Sequence, residues 1–215
     1  MSQAAKPTGF FGRLLARGMA LGHRGFYRNT AKVLSLTPDD AFLEIGFGSG
    51  MFIKKYAAHV TRIAGLDYSE DMVKLASNVN EDIVKSGKAE FKQGDVSALP
   101  WSENEFSAVA GIETFFFWPK PQSSLREIFR VLIPGGRLVL EMAYNKDDGR
   151  NHRKQIEKHD LRLYGGEEMK MLLREAGFGE ISIVYYRSLW IPFRGYVVPK
   201  GMVIKATKPR VHSMH

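Results

Sequence analysis

The sequence predicts an α/β fold, a seven-stranded and mostly parallel sheet with helices on both faces. Three observations carry this prediction. Short β-rich runs alternate with helix-period segments along the chain, as repeated βαβ units require. The run Leu43-Glu44-Ile45 ends in Gly46-Phe47-Gly48-Ser49-Gly50, a glycine-rich loop where a strand passes into a helix. A second acidic residue closes the next apolar run, Ala64-Gly65-Leu66-Asp67.

Taken in order, a helix is expected near Gly25–Leu34, a strand at Ala41–Ile45 and a helix near Met51–Ala58. A strand near Arg62–Leu66 follows, then a long helix over Glu70–Lys85. Ser69 is its expected cap, and Glu70 and Asp71 occupy the first turn, where the helix dipole favours acids. Strands near Ala89–Gln93 and Phe106–Gly111 lead to a helix near Gln122–Val131. Pro134-Gly135-Gly136 reads as a tight turn feeding a strand at Arg137–Ala143. A helix near Glu167–Ala176 ends at Gly177, and strands near Glu180–Tyr186 and Met202–Thr207 complete the set. The connection Leu189–Gly201, with Pro192 and Pro199, suits an antiparallel return better than a helical crossover.

The bulk numbers fit one medium domain: 215 residues, 44% hydrophobic and 25% charged, a globular balance. The chain has no cysteine, which excludes disulfides, zinc–thiolate sites and a cysteine nucleophile, and suits a reducing, cytoplasmic location. No apolar run approaches the roughly 20 residues that span a bilayer. Arg13 and Arg17 interrupt the apolar stretch a cleaved signal would need. The net charge of +8 sits at the ends. Six of the 31 Lys and Arg lie between Met1 and Lys32 and six between Arg187 and His215, with no acid in either stretch. The remaining nineteen face all 23 acids, so the body is slightly acidic. Basic ends favour an anionic partner or simply keep the protein soluble. We divide the chain into a basic amphipathic arm or lid (1–30), a catalytic body (31–208) and a tail (209–215).

An acid two residues before a Gly-x-Gly-x-Gly loop, with a second acid after the following strand, suits adenosine joined to a charged amino-acid tail. The glycines admit the ligand to the backbone and the second carboxylate takes ribose hydroxyls. A nicotinamide dinucleotide prefers a third small residue at position 51 for close helix–strand packing, and that position is Met51.

Together these residues make the chain resemble the class I S-adenosylmethionine-dependent methyltransferases, of the small-molecule type that includes ubiquinone and menaquinone methyltransferases. The similarity rests on Leu43–Gly50, Gly65–Met72, Gln93–Val96 with Leu99-Pro100, Phe106–Val109, Ile128–Leu140 and Tyr164–Phe178. It implies a Rossmann-like sheet with an antiparallel last strand and S-adenosylmethionine as cofactor. It further implies that Glu44 and the loop residues Gly46, Phe47, Gly48 and Gly50 cradle the methionine portion. Asp67 then holds the ribose, Tyr68 and Met72 lie beside the adenine, Asp95 and Val96 take the adenine edge, and Ile112 and Glu113 face the sulfonium and acceptor. Taken singly, Asp67 also suits a helix cap and Asp95 a turn.

Methyl transfer is an in-line displacement in which the protein aligns the reactants, so a fixed general base is not demanded. Where the family usually carries histidine after the fourth strand, this chain has Thr114-Phe115-Phe116-Phe117-Trp118. Phe116 and Trp118, with Tyr27, are the expected acceptor contacts, while Phe115 and Phe117 suit the core. Candidate proton acceptors are His23, Tyr27, Glu113, Glu141, His152 and His159, of which His23, Tyr27 and Glu113 are retained. His152 and His159 are expected at the solvated surface, and Glu141 is expected to point outward or cap its strand. The arm Phe10–Met19 places Phe10, Phe11, Leu14 and Leu15 on one helical face and Arg13 and Arg17 on another, as a lid, a targeting segment or a contact with an anionic membrane. Trp190, Phe193, Arg194 and Tyr196 are candidates for the acceptor wall.

The expected activity is methyl transfer to a small apolar or aromatic acceptor. The alternatives are an RNA or protein methyltransferase gripping its target with the basic ends, or a non-catalytic S-adenosylmethionine-binding module. No Asn/Asp-Pro-Pro-aromatic tetrad follows the fourth strand and no cysteine is present, which argues against the common nucleic-acid enzymes. No metal is expected.

Overall fold

The computed structural model describes residues 24–147, 152–187 and 200–210. His23, the arm before it and the segment with Trp190, Phe193, Arg194 and Tyr196 lie outside the described residues. Seven strands form one sheet in the order β3-β2-β1-β4-β5-β7-β6: β1 Ala41–Ile45, β2 Arg62–Asp67, β3 Ala89–Gln93, β4 Phe106–Ile112, β5 Leu132–Met142, β6 Gly179–Arg187 and β7 Lys200–Thr207. The first five are parallel, and β7 inserts antiparallel between β5 and β6. Among the described residues no helix is long and apolar enough to cross a membrane.

Side chains alternate between the two faces of each strand and so build two cores. Leu43, Ile45, Val109, Leu138 and Leu140 face one side, under helices α4 (Pro121–Val131) and α6 (Gly166–Glu175). Phe42, Ile63, Ala108 and Val139 face the other, under α1 (Arg24–Leu34) and α2 (Glu70–Val79). Glu44 stands on this second face, and the register Glu44↔Ala110 with Ala110↔Val139 carries that face across to β5.

Helix α1 buries Phe26, Tyr27, Thr30 and Leu34, a stripe of helical spacing, and runs across position 30, where the arm was expected to end. An ion pair docks its carboxyl end. Arg137 on β5 donates to the Leu34 and Ser35 carbonyls at 2.5 and 3.1 Å, and to both Asp40 carboxylate oxygens at 3.0 and 2.7 Å. Asp40 also accepts from Ser107 at 2.6 Å and from the Thr37 amide at 2.7 Å. Burial alone would raise the Asp40 pKa, but these donors outweigh it and hold the carboxyl well below the usual range.

The elements depart from the sequence-based expectation where a side chain takes over backbone groups. The helix expected over Glu70–Lys85 breaks at Asn80 into α2 and α3 (Glu81–Lys85). The Asn80 amide donates to the Ala76 carbonyl at 3.0 Å and to the Gly50 carbonyl at 3.1 Å, so the break clamps the glycine loop. The helix after that loop widens to a π-helix over Ile53–Ala57. Strand β5 begins five residues early, and the Pro134–Gly136 turn is carried inside it as a bulge between Leu132↔Phe106 and Arg137↔Ala108. The polar stretch after Asn145 also holds an unexpected helix, α5 (Arg153–His159).

Arg137→Met should leave Asp40 charged and unpaired under α1, costing about 3 kcal/mol in urea unfolding. Because the Asp40 pKa is depressed in the folded state, the wild-type contribution is present above about pH 4 and fades as pH falls further. The variant should therefore lose most of its deficit below that pH.

Candidate functional site

The loop after β1 is shaped by the protein itself at two glycines and left open at the third. Gly46, Gly48 and Gly50 all have positive φ, at +69°, +52° and +72°. A Cβ on Gly46 would collide with the Thr114 side chain, and one on Gly50 would meet Asn80 and Ala76. A Cβ on Gly48 would meet nothing within 4 Å. Gly48 is thus the point where the loop leaves its backbone open.

Asp67 closes β2 directly beside it. Its Oδ2 accepts the Gly48 amide and its Oδ1 the Ser69 amide, each at 2.9 Å. Burial raises the Asp67 pKa, and the amides of Ser69, Gly48 and Tyr68 partly restore it. A carboxylate has about four acceptor positions. Gly48 and Ser69 fill two, the Tyr68 amide also approaches, and what remains suits a vicinal diol. Asp95 also accepts twice locally, from the Ser97 amide and hydroxyl at 2.8 Å through Oδ1, which leaves Oδ2 uncommitted.

Glu44 lies beneath the loop, buried, and its Oε2 has no hydrogen-bond partner. Burial and then the nearby Asp67 push its pKa well above the ordinary value. Tyr27 of α1 covers this face with its ring edge-on to Phe52 at 5.7 Å. Burial and the charge of Glu44 raise its phenol pKa, so Tyr27 stays protonated at neutral pH and is a poor proton acceptor.

The remaining expected residues divide by exposure. Tyr68 is 45% exposed and open to a ligand, and Val96 and Ile112 sit at the sheet edge with 7% and 6% exposed. Phe47 packs edge-on to Phe91, and Met72 is fully buried in the same core, so the structure places Met72 beneath the site. Phe116 lies edge-on to Phe117 and near Tyr144, with 4% exposed. Trp118 packs against Phe115 in the core, its indole N–H donating to Thr114 Oγ1 at 3.3 Å. Through Thr114 it braces the Gly46 contact.

Glu113 follows β4 with φ +57°, a left-handed conformation that costs a non-glycine residue about 1–3 kcal/mol. Its amide donates to the Glu141 carbonyl at 2.9 Å, and its Oε1 accepts the Ala143 amide. Two expectations are corrected at this edge. Glu141 does not point outward: it has no exposed surface, because it shares the inner face of β5 with Val139. His152 is not solvated either; it is 7% exposed and packs edge-on to Tyr144 at 5.5 Å. Burial raises the Glu113 carboxyl to about 7, the Ala143 amide and Glu141 opposing it. Burial and then Glu113 push Glu141 well above the ordinary range. No protein donor reaches either Glu141 oxygen, so a hydrogen bond between the two carboxyls exists only when one is protonated.

A family profile described as a methyltransferase domain matches residues 43–140, which span Glu44, the glycine loop, Asp67, Asp95 and Glu113. The chain is similar to an O-methyltransferase of Pyrenophora dematioidea, 29% identical over 187 residues that cover 82% of this chain and 69% of that one. It is also similar to a ubiquinone/menaquinone biosynthesis C-methyltransferase of Pseudomonas fluorescens, 31% identical over 131 residues. That match covers 59% of this chain and 50% of the relative. The chain is a class I S-adenosylmethionine-dependent methyltransferase. The fold of this methyltransferase matches that of a putative methyltransferase of Haloferax volcanii solved in complex with the Trm112 methyltransferase activator. The TM-score is 0.80 at 21% identity, over 93% of this chain and 95% of that one.

The chain's own residues fit this cofactor. Open space at Gly48, spare acceptor positions on Asp67 and an orphaned oxygen on Glu44 match a ligand with hydroxyls and positive charge. Sequence reasoning missed Thr114 and Asn80, and misjudged the burial of Glu141. For Glu141 a signal existed: an acid enclosed by apolar neighbours in Leu138-Val139-Leu140-Glu141-Met142.

Gly46→Ala should destabilise the protein by about 1–3 kcal/mol from strain together with the Thr114 clash. Gly48→Ala should cost less in thermal melts but weaken S-adenosylmethionine binding more in calorimetry. The raised acids set a pH dependence. The folded chain keeps protons that the unfolded chain loses above about pH 4.3, so ligand-free stability should fall as pH rises toward 7. Glu141→Gln should flatten that fall in melts at pH 5 to 8.

Proposed function

We propose that this methyltransferase acts in the cytosol on a small acceptor of apolar or aromatic character, bound at the carboxyl edge of β4 beside Phe116 and beneath α1. The observation that carries the cofactor half is Asp67, fixed by the Gly48 and Ser69 amides with acceptor positions to spare beside the open backbone of Gly48. S-adenosylmethionine supplies a methyl group on a sulfonium, ready for displacement in line. Asp67 would hold the ribose hydroxyls, Asp95 and Val96 the adenine edge with Tyr68 alongside, and Glu44 with the loop the charged methionine end. Ile112 and Phe116 exclude water from the displacement, and the aromatic faces of Phe116, Phe117 and Tyr144 suit a planar or apolar acceptor. The names of both curated relatives, an O-methyltransferase and a quinone-biosynthesis C-methyltransferase, support an acceptor of this class.

Asp67→Ala removes two charge-assisted hydrogen bonds to the ribose. Calorimetric S-adenosylmethionine affinity should fall at least about 100-fold. Unchanged affinity would sink the assignment. Phe116→Leu, on the acceptor side, should leave that affinity within about twofold, since no charge-assisted contact is lost.

A further inference from the structure

The acids that end β4 and β5 form a pair whose geometry asks for one proton. Glu141 lies opposite Ile112 in the β4–β5 register, and Glu113 follows Ile112. The left-handed backbone at Glu113 turns it back onto β5, where its amide meets the Glu141 carbonyl and its Oε1 meets the Ala143 amide. Glu141 is fully buried, and neither of its oxygens has a donor. As two carboxylates the residues would repel without a cation to offset them. With one proton between them, a single O–H···O bond supplies the missing partner.

The pair borders the cofactor loop. Thr114, next to Glu113, packs its side chain against Gly46. Glu141 shares a sheet face with Glu44, and α1 covers that face. Two further buried groups packed in this region lack partners: Thr30 Oγ1 of α1, whose residue has no exposed surface, and Tyr186 Oη of β6. Unfilled polar groups on several elements mark a place that a polar ligand completes.

We propose that Glu113 and Glu141 share one proton and act as a unit, Glu113 receiving the acceptor's proton and Glu141 positioning Glu113 through their hydrogen bond. This rests on the methyltransferase reading above and extends it to the acceptor's chemistry. The nucleophile gives an electron pair to the methyl carbon, the carbon–sulfur pair remains on sulfur, and the nucleophile's proton passes to Glu113. An acceptor served by this pair has a proton to lose: the hydroxyl of a phenol or enol, or an amine N–H. A thioether or tertiary amine has no use for it. Burial raises both carboxyls and so favours a proton on the pair, as a group that receives a proton requires. The other titratable groups on this face of the packed elements are Glu44 of β1, Asp67 of β2, Tyr27 of α1, Tyr186 of β6, Arg137 of β5, which is paired with Asp40, and Lys205 of β7, opposite Val139, with Tyr144 and His152 beyond β5; β7 presents Val203 opposite Glu141.

Calorimetry of the full chain at pH 7, in buffers of different ionisation enthalpy, counts protons released on ligand binding. S-adenosylmethionine carries a sulfonium that S-adenosylhomocysteine lacks. It should therefore release more protons, by up to about half a proton per site, because a group titrating near the working pH is half ionised. Glu113→Gln should abolish the difference. Glu141→Gln, which keeps a donor, should preserve it, and Glu141→Leu should move it to higher pH. Equal release by the two ligands, with both bound, overturns this inference and leaves the cofactor assignment standing; failure of both to bind overturns the assignment itself. Carbon-13 NMR of glutamate carboxyls in the unmodified, ligand-free chain needs no variant. A carboxyl titrating near pH 7 is expected, and its absence overturns the proposal.

Discussion

Four adjacent strands, β2, β1, β4 and β5, each bring one acid to their carboxyl ends: Asp67, Glu44, Glu113 and Glu141. Among the described residues none is paired with a lysine or arginine. Burying a carboxylate without a cation is costly, so the group either keeps a proton or waits for a positive ligand. The folded chain does both, since burial raises all four pKa values. A ligand with a sulfonium and an ammonium, bound at this edge as proposed, would relieve the strain that the apolar sheet creates. Binding energy and electrostatic tension thus have one origin, and stability is traded for affinity at this edge.

The glycine loop turns that charge into a shaped site. Gly46 is held against Thr114, Gly50 against Asn80, and Asp67 grips Gly48 from the next strand. The loop is therefore fixed from three elements and leaves its backbone open at one point. Thr114 also accepts from the Trp118 indole, so the aromatic segment after β4 braces the glycine loop while Phe116 packs near Tyr144. The glycine loop and the aromatic segment after β4 are mechanically joined through one threonine.

Much of the fold was legible because its signals are local. Strands β1 and β3 have the ends that the apolar runs suggested, and the alternation of runs predicted the parallel sheet. The loop, Asp67 and Asp95 were legible because their spacing repeats a known solution for an adenosyl ligand. Asn80 misled because it reads as an ordinary residue of a long helix, and its amide was instead taken by Gly50, thirty positions away. The early start of β5 misled because Pro134–Gly136 signals a turn, and only the pairing of Leu132 with Phe106 carries the strand across it.

The sequence by itself determined the sheet, its central loop and the class of cofactor, since strand period, glycine spacing and paired acids act over short stretches of chain. The environment of each acid was decided by tertiary structure alone. Glu141 is one charged letter in an apolar strand, read as an outward side chain. It became the buried half of a carboxyl pair because the β4–β5 register and the backward turn at Glu113 bring two glutamates together across twenty-eight positions. Burial and contact, which set how a carboxyl titrates, exist only once the chain has folded.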